Sequence, residues 1–368
     1  MIVIMQQGAT DEQIDHVIER VEQLGLTPHV SRGRFRTIIG AIGDKQPVHQ
    51  QILEALYGVE RVVPIMKPFK LASREFHAED SVVEIAGVRI GGPRVTVIAG
   101  PCAVEDRDML FRIARAVSAR GAAILRGGAF KPRTSPYDFQ GLGEEALKLM
   151  REAGEQFGLP IVSEVLAASD VGLVGRYVDM FQIGARNIQN FQLLKEVGDF
   201  GKPVLLKRGF AATVREYLMS AEYILSRGNR NVVLCERGIK TFETDVRFTL
   251  DVPAVPLIKE YSHLPIIVDP SHAAGRRGLV AALALAGIAA GADGIIVEVH
   301  DRPEQARCDG PQALLPEQFA ELVGQIGKIA AALGRELVPP AAGTEPRPSE
   351  APADDEGRPD STTGSNDG

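Results

Sequence analysis

The first 66 residues alternate between short β-branched runs and stretches with helical spacing. Apolar runs of strand length occupy residues 2–5, 37–42 and 59–65, and another strand is expected ahead of residue 37. Apolar side chains recur at helical spacing within residues 14–24 and again within residues 52–56. The order strand, helix, strand, strand, helix, strand predicts a small ferredoxin-like α+β domain over residues 1–66.

Residues 67–93 are predicted to be a linker that ends in a β-hairpin, with strands at residues 82–85 and 88–90 around a turn at Ala86-Gly87. From residue 94 onward, short apolar runs alternate strictly with helical stretches. Helices are expected within residues 108–120, 144–157, 214–226, 279–290 and 316–333. Eight strands are predicted, at residues 95–99, 123–125, 161–163, 180–183, 204–206, 232–234, 266–268 and 294–297.

Eight strand-and-helix units over residues 94–339 predict an α/β fold, the (β/α)8 TIM barrel, which typically uses about 250 residues. A doubly wound open sheet is the competing arrangement. The sequence lacks the dinucleotide-binding G-x-G-x-x-G motif of that fold after the first strand, so the barrel is favoured.

Residues 340–368 differ in composition from the rest of the chain. They contain five prolines, no aromatic residue and alanine as the only apolar type, which predicts disorder. Their seven acidic and two basic residues contribute −5 to the formal net charge of −7. The remainder is nearly neutral and has no run of Lys or Arg, so nucleic acid and an anionic membrane surface are disfavoured as partners.

The three cysteines, Cys102, Cys235 and Cys308, form no C-x-x-C pair and are too few for a disulfide framework. The apolar run at the N-terminus spans five residues without a basic flank, unlike a signal peptide. The longest apolar run, residues 279–292, is shorter than the roughly 18 residues that a membrane span requires. These features predict a cytoplasmic protein.

In a TIM barrel the chemistry lies at the carboxyl ends of the strands, so the residues that follow each predicted strand are the candidates. Several cations follow the second, fourth, fifth and sixth strands and would converge on one mouth. Such a concentration of positive charge indicates polyanionic ligands, namely phosphate esters and a carboxylate. The candidate cations are Arg126, Lys131, Arg133, Arg186, Lys207 and Arg237.

A second set, Cys102, His272, Glu298 and Asp309, follows the first, seventh and eighth strands, which are neighbours once a barrel closes. A thiolate, an imidazole and two carboxylates suit one divalent transition ion, such as Mn, Fe, Co or Zn, better than Mg or Ca. Cys308 precedes Asp309, so an oxidative link between Cys308 and Cys102 is a further hypothesis.

Several stretches resemble 3-deoxy-D-arabino-heptulosonate 7-phosphate (DAHP) synthase, in the type Iβ branch closest to 3-deoxy-octulosonate 8-phosphate synthase. The resemblance covers the barrel from about Val95 to Leu333, and the Lys-Pro-Arg-Thr segment is specific. The N-terminal domain resembles the ferredoxin-like regulatory extension of some members. The stretches are Ala99-Gly-Pro-Cys102, residues 127–141, Ile183-Gly-Ala-Arg-Asn187, Leu206-Lys-Arg-Gly209, Asp269-Pro-Ser-His272 and Asp309-Gly-Pro-Gln312.

The resemblance implies a metal-dependent transferase that condenses phosphoenolpyruvate with erythrose 4-phosphate and water, the first step of the shikimate pathway to chorismate and the aromatic amino acids. Erythrose 4-phosphate would be held by Lys131, Pro132, Arg133 and Thr134, and the metal by Cys102, His272, Glu298 and Asp309. Phosphoenolpyruvate would be held by Arg126, Lys131, Arg186, Lys207 and Arg237, beside the Ala185 backbone and Glu164.

Three residues are assigned catalytic roles on this basis. Lys131 is the candidate proton donor to the aldehyde oxygen, Glu164 or a metal-bound water activates the attacking water, and His272 acts as a metal ligand. The resemblance also implies a homotetramer and an aromatic amino acid, tyrosine or phenylalanine, as effector of the N-terminal domain. The nearest alternative is 3-deoxy-octulosonate 8-phosphate synthase, which uses arabinose 5-phosphate and carries a Lys-Ala-Asn-Arg type of segment in place of residues 131–134.

Overall fold

The computed structural model describes residues 1–33, 36–43, 47–63, 68–132 and 135–338. The disorder predicted for residues 340–368 and the end of the strand predicted at residues 59–65 fall outside these ranges. In the part of the chain that is described, no helix has the length and apolar character needed to cross a membrane.

The N-terminal unit is an antiparallel four-stranded sheet in the order β2-β3-β1-β4 with two helices. The capping box between Thr10 and Gln13 begins α1, since each side chain bonds the backbone N–H of the other residue. The buried faces of the sheet and of α1 share one apolar core. The elements are β1 (Ile2–Met5), α1 (Asp11–Gln23), β2 (Thr27–Arg32), β3 (Thr37–Ile42), α2 (Pro47–Glu54) and β4 (Val59–Val63). The predicted ferredoxin-like connectivity is confirmed.

A two-stranded hairpin, β5 (Val83–Ile85) and β6 (Val88–Ile90), closes the amino-terminal end of the barrel. Ala86 and Gly87 have φ values of 44° and 89°, so both turn residues adopt the left-handed conformation of a tight hairpin. The apolar side chains of the hairpin pack with the inward-facing residues of the barrel strands. The hairpin therefore covers the interior at the end opposite the strand ends that were predicted to carry the chemistry.

Eight parallel strands form the barrel, which closes because β14 pairs with β7. Each strand is a short apolar run, as expected of parallel strands that are buried on both faces. The strands are β7 (Arg94–Gly100), β8 (Ile124–Arg126), β9 (Ile161–Glu164), β10 (Met180–Ile183), β11 (Val204–Lys207), β12 (Val232–Glu236), β13 (Ile266–Val268) and β14 (Gly294–Glu298). The predicted TIM barrel is confirmed, and every predicted strand overlaps an observed one.

Helices follow the strands and cover the outside of the barrel. They are α3 (Arg107–Ser118), α4 (Glu144–Phe157), α5 (Val171–Gly175), α6 (Phe191–Phe200), α7 (Val214–Leu225), α8 (Ala254–Tyr261), α9 (Pro270–Ala274), α10 (Arg277–Ala289) and α11 (Pro316–Ala332). After α11, the short strand β15 (Glu336–Leu337) pairs with the start of β7.

The N-terminal unit contacts the barrel near the amino-terminal ends of the strands. Arg230, which precedes β12, donates a hydrogen bond to the carbonyl of Val30 at 2.7 Å. The ring of Phe76, in the linker, packs against β3 at Gly40. Glu222 of α7 accepts hydrogen bonds from linker backbone N–H groups, including that of Leu71 at 2.8 Å. These contacts lie at the end of the barrel away from the mouth.

Tyr217 connects α7 to two barrel strands, and its hydroxyl is fully buried. The hydroxyl donates a hydrogen bond to the Leu206 carbonyl and accepts one from the Cys235 N–H, both at 2.6 Å. Replacing Tyr217 with phenylalanine leaves both backbone groups without this partner, so the free energy of unfolding should fall by about 1–3 kcal/mol. Urea unfolding of Tyr217→Phe and of Tyr261→Phe, a partly buried tyrosine of α8, measures the difference. Equal stability of Tyr217→Phe and the original protein would contradict this prediction.

Candidate active site

A pocket of about 440 Å³ lies at the carboxyl ends of the barrel strands. Loops from several strands contribute to it, as the strand-end argument predicted. Of the predicted site residues, the following line the pocket: Lys131, Pro132, Glu164, Ala185, Arg186, Lys207, Arg237, His272 and Asp309. Arg126, Cys102 and Glu298 are buried beside these residues. Arg133 and Thr134 lie outside the described residues.

Four predicted metal ligands converge at one side of this pocket. One donor atom from each of Cys102, His272, Glu298 and Asp309 lies within 4.8 Å of the others. His272 Nε2 is 3.2 Å from Glu298 Oε1 and 3.9 Å from Asp309 Oδ2, which is itself 3.4 Å from Cys102 Sγ. The pairing of Glu298 with Gly100 across the β7–β14 seam brings the Cys102 and Glu298 segments together.

The protonation of His272 fits a metal ligand. Its Nδ1 is 2.8 Å from Asp269 Oδ2, which leaves Nε2 directed toward the other donors. Burial lowers the pKa of His272 despite the opposing influence of Asp269 and Glu298, which favours the neutral imidazole. A neutral imidazole oriented by a carboxylate is the usual arrangement of a metal-binding histidine.

Glu298 is ionised, as a metal ligand must be. Burial alone would raise its pKa, but His272, Arg126 and Lys131 outweigh that effect and lower the pKa to about 2. Arg126 donates to Glu298 Oε1 at 2.7 Å, and Gln312 donates to Glu298 Oε2 at 2.6 Å. The donor chemistry of the cluster, soft sulfur with nitrogen and anionic oxygen, therefore fits a divalent transition metal.

Lys131 lies at the boundary between the donor cluster and the rest of the pocket. Its Nζ is 2.8 Å from the Cys102 carbonyl oxygen and 3.1 Å from Cys102 Sγ. Gly128 permits this approach, because a Cβ there would lie 2.8 Å from Lys131 Nζ. Burial by itself would lower the pKa of Lys131. Cys102, Cys308 and Glu298 raise the pKa by more than burial lowers it, so the ammonium remains protonated.

Several cations line the wall of the pocket. The guanidinium of Arg237 lies over the ring of Phe248 at 4.1 Å and over that of Phe210 at 4.9 Å, and these rings stack on each other. Within the described residues, Arg237 Nη1 is buried without a hydrogen-bond partner. Lys207 pairs with Asp269, and Arg186 also lines the wall. A buried, unpaired guanidinium N–H in a pocket indicates a site that binds an anion.

Sequence reasoning missed several residues of the site. Asp269 and Gln312 belong to the Asp269-Pro-Ser-His272 and Asp309-Gly-Pro-Gln312 stretches, so the motifs contained a signal for both, although neither was assigned a role. Arg247, Lys240, Phe210 and Phe248 also line the pocket. Phe210 and Lys240 lie a few residues past the ends of β11 and β12, and Arg247 and Phe248 lie farther along the loop after β12, where no periodic pattern marks them.

Two of the three cysteines are adjacent. Cys308 Sγ is 3.1 Å from Cys102 Sγ, and both side chains are buried. We expect hydrogen peroxide to oxidise the metal-free protein to a Cys102–Cys308 disulfide, with both thiols lost together and two water molecules formed. The loss of the Cys102 donor should also reduce metal binding.

Thiol titration under denaturing conditions, before and after peroxide, tests this hypothesis. Cys235 should remain reactive, because it is buried in β12 away from the pair. The variant Cys308→Ser should lose no paired thiols. An unchanged thiol count in the original protein after peroxide treatment would rule out the disulfide.

Comparison with known proteins relates the whole described chain to one family. Residues 39–332 match the DAHP synthetase I family, and residues 1–67 match the DAHP synthase ferredoxin-like domain. The chain is 54% identical over 334 residues to the phospho-2-dehydro-3-deoxyheptonate aldolase of Thermotoga maritima, which covers 91% of this chain and 99% of that protein. A 2-dehydro-3-deoxyphosphooctonate aldolase of Syntrophobacter fumaroxidans is 33% identical over 66% of this chain and 90% of its own length.

Solved structures give the same relationship. The crystal structure of the Thermotoga maritima DAHP synthase superimposes with a TM-score of 0.74 at 52% identity, covering 92% of this chain and 99% of that one. A truncated form of the Thermotoga maritima enzyme gives a TM-score of 0.69 at 52% identity, covering 73% of this chain and 99% of the truncated chain. Nearly the whole length of each solved relative therefore has a counterpart in this chain.

Proposed function

This chain belongs to the DAHP synthetase I family, and from that premise we propose that it condenses phosphoenolpyruvate with erythrose 4-phosphate and water, giving DAHP and inorganic phosphate. The proposed reaction opens the shikimate pathway to chorismate and the aromatic amino acids. One observation carries the proposal: the cluster of four metal-type donors adjoins a pocket lined by several cations, and Lys131 lines that pocket while contacting Cys102 of the cluster.

The cationic wall is suited to bind phosphoenolpyruvate. In this proposal Arg186, Lys207 and Arg237 bind its phosphate and carboxylate, and Arg126 adds positive charge from beneath the pocket. The unpaired Nη1 of Arg237 supports this assignment, because an anionic oxygen would supply the missing partner. The backbone of Ala185 and the carboxylate of Glu164 line the same wall.

Erythrose 4-phosphate is proposed to bind to the segment Lys131, Pro132, Arg133 and Thr134, of which Lys131 and Pro132 line the pocket. A divalent metal ion held by Cys102, His272, Glu298 and Asp309 would supply Lewis-acid polarisation of the aldehyde carbonyl. The new C–C bond joins C3 of phosphoenolpyruvate to the aldehyde carbon, water adds at C2, and phosphate leaves.

Two side chains are proposed to handle protons. Lys131 holds a proton at Nζ and donates it to the aldehyde oxygen as the C–C bond forms. Glu164 accepts a proton from the attacking water. The support for Glu164 is its position in the pocket, where Gln182 donates a hydrogen bond to its Oε2 at 3.3 Å and so orients the carboxylate.

The experiment that tests the function is an assay of phosphate release by chelator-stripped protein. Phosphoenolpyruvate is supplied with erythrose 4-phosphate or with arabinose 5-phosphate, and Mn, Fe, Co or Zn is added back separately. We expect release with erythrose 4-phosphate and at least one metal. If phosphate is released with arabinose 5-phosphate but not with erythrose 4-phosphate, the octulosonate synthase is favoured instead. No release with either sugar would contradict both functions.

We further propose that the N-terminal unit is a regulatory domain that responds to tyrosine or phenylalanine. Its ferredoxin-like family match supports a regulatory role. A variant lacking residues 1–66 should keep activity and lose inhibition by both amino acids. The solved structure of a truncated relative, which covers 73% of this chain, supports the folding of a shortened chain. Unchanged inhibition of the truncated variant would exclude this role.

We further propose that the protein is cytoplasmic and forms a homotetramer. Among the described residues the three cysteines form no disulfide, which favours a reducing cytoplasm. The family resemblance suggests a homotetramer, which sedimentation equilibrium of the full chain would test.

A further inference from the structure

Arg247 and Gln312 contact the carboxylates of the donor cluster from outside it. Arg247 Nη1 donates to Asp309 Oδ1 at 3.2 Å and to Gln312 Oε1 at 3.1 Å. Gln312 Nε2 in turn donates to Glu298 Oε2 at 2.6 Å. One guanidinium and one amide thus join the two carboxylates of the cluster in a continuous chain of hydrogen bonds.

In each carboxylate, one oxygen accepts a hydrogen bond from Arg247 or Gln312, and the other oxygen faces the remaining donors of the cluster. Asp309 uses Oδ1 for Arg247, while its Oδ2 lies near Cys102 Sγ and His272 Nε2. Glu298 uses Oε2 for Gln312, while its Oε1 lies 3.2 Å from His272 Nε2. The hydrogen bonds therefore fix the rotation of both carboxylates and turn the other oxygen of each toward the donor cluster. Glu298 Oε1 also accepts a hydrogen bond from Arg126 Nη1 at 2.7 Å, which holds this carboxylate from a second side.

The backbone conformation of Asp309 is unfavourable, and Arg247 holds the Asp309 segment against the segment of His272. Asp309 has a φ of 52°, a left-handed conformation that costs a residue with a side chain about 1 kcal/mol or more. Arg247 itself is fixed to the His272 segment, because its backbone N–H donates to the Ala274 carbonyl at 3.2 Å. It thereby ties the segments of Asp309 and His272 together, and Gln312, which is 2% exposed, extends the connection to Glu298.

We propose that Arg247 and Gln312 are positioning residues that set the geometry, and hence the metal affinity, of the Cys102, His272, Glu298 and Asp309 site. This inference rests on the metal site of the proposed function. Hydrogen bonds of this kind typically change metal affinity by about 10–100-fold when they are removed.

The test measures binding of Co²⁺ to the full-length, metal-free protein in the absence of substrates, followed by the absorption bands of the bound ion. Arg247→Ala and Gln312→Leu should each raise the dissociation constant about 10-fold or more, with altered bands. Because both residues belong to one network, the double variant should lose less than the product of the two single effects. Arg247→Lys, which keeps the charge, should recover part of the affinity.

Lys240→Ala is the matched control, since it removes a cation from the same loop and pocket wall and should leave the dissociation constant within about twofold. Thermal unfolding of each metal-free variant separates loss of fold from loss of affinity. If the original protein binds Co²⁺ and both single variants bind it equally well, the positioning role is wrong while the proposed function stands. If the original protein binds no metal ion, the proposed metal site fails together with this inference.

Discussion

Replacing Cys102 with alanine is expected to lower turnover by about 10³-fold or more in the phosphate-release assay. Cys102 supplies the only sulfur among the four converging donors, and its removal leaves three donors with an open position beside two carboxylates. Lewis-acid stabilisation of developing charge is worth several kcal/mol, and about 4 kcal/mol corresponds to three orders of magnitude in rate. Co²⁺ titration of the same variant should show weaker binding and loss of the sulfur-to-metal absorption.

The chain provides a matched control in Cys235. This thiol is also buried at the end of a barrel strand, but it belongs to β12 rather than to the donor cluster. Cys235→Ala should therefore bind metal and turn over nearly as the original protein does. If Cys102→Ala retained normal turnover with the chelator-sensitivity of the original protein, the assignment of Cys102 as a ligand would be wrong.

Lys131→Met should reduce turnover at saturating substrates by about 10²–10⁴-fold, the usual contribution of a positioned general acid. Methionine keeps much of the length of the side chain but removes the ammonium that contacts the Cys102 carbonyl and sulfur. Lys131→Arg distinguishes proton transfer from simple charge, because a guanidinium stays charged and does not give up its proton. We expect Lys131→Arg to bind phosphoenolpyruvate better than Lys131→Met yet to remain slow.

The pH dependence gives a second readout for Lys131. Neighbouring sulfur and carboxylate groups raise its pKa above the ordinary range, so the group remains protonated as pH rises through neutral values. Loss of activity of the original protein between pH 7 and pH 9 should therefore arise from another group, and the same alkaline limb should persist in the residual activity of Lys131→Arg. Normal turnover of Lys131→Met at saturating substrates would exclude the proton-donor role.

The positions of the barrel strands could be predicted because parallel strands buried on both faces leave short, uninterrupted apolar runs. Val232–Glu236 and Gly294–Glu298 are clear examples, with every residue buried. The strand β2 (Thr27–Arg32) was predicted without bounds, because it contains a proline and five of its six residues are partly buried or exposed. A sheet strand with one residue in six fully buried has little apolar pattern to detect.

The residues of the site likewise differ in whether the sequence could identify them. Residues directly after strands, such as Glu164 and Lys207, were identifiable from position alone, because every barrel strand delivers its next residues to one mouth. Arg247 and Gln312 were not, because they reach the site through loops whose paths depend on packing against α9 and β14. Sequence spacing holds no information on such paths.

The alternation of strands and helices, the side chains that follow each strand and the donor types available for a metal could all be inferred without a structure. These features depend on local periodicity and on residue chemistry, both of which are written along the chain. The contact between Cys102 and Asp309, 207 positions apart, and the connection of the two carboxylates by Arg247 and Gln312 could be seen only in the folded chain. The Cys102 and Glu298 segments meet because the barrel closes through β7 and β14, a long-range pairing that sets distances which no local pattern specifies.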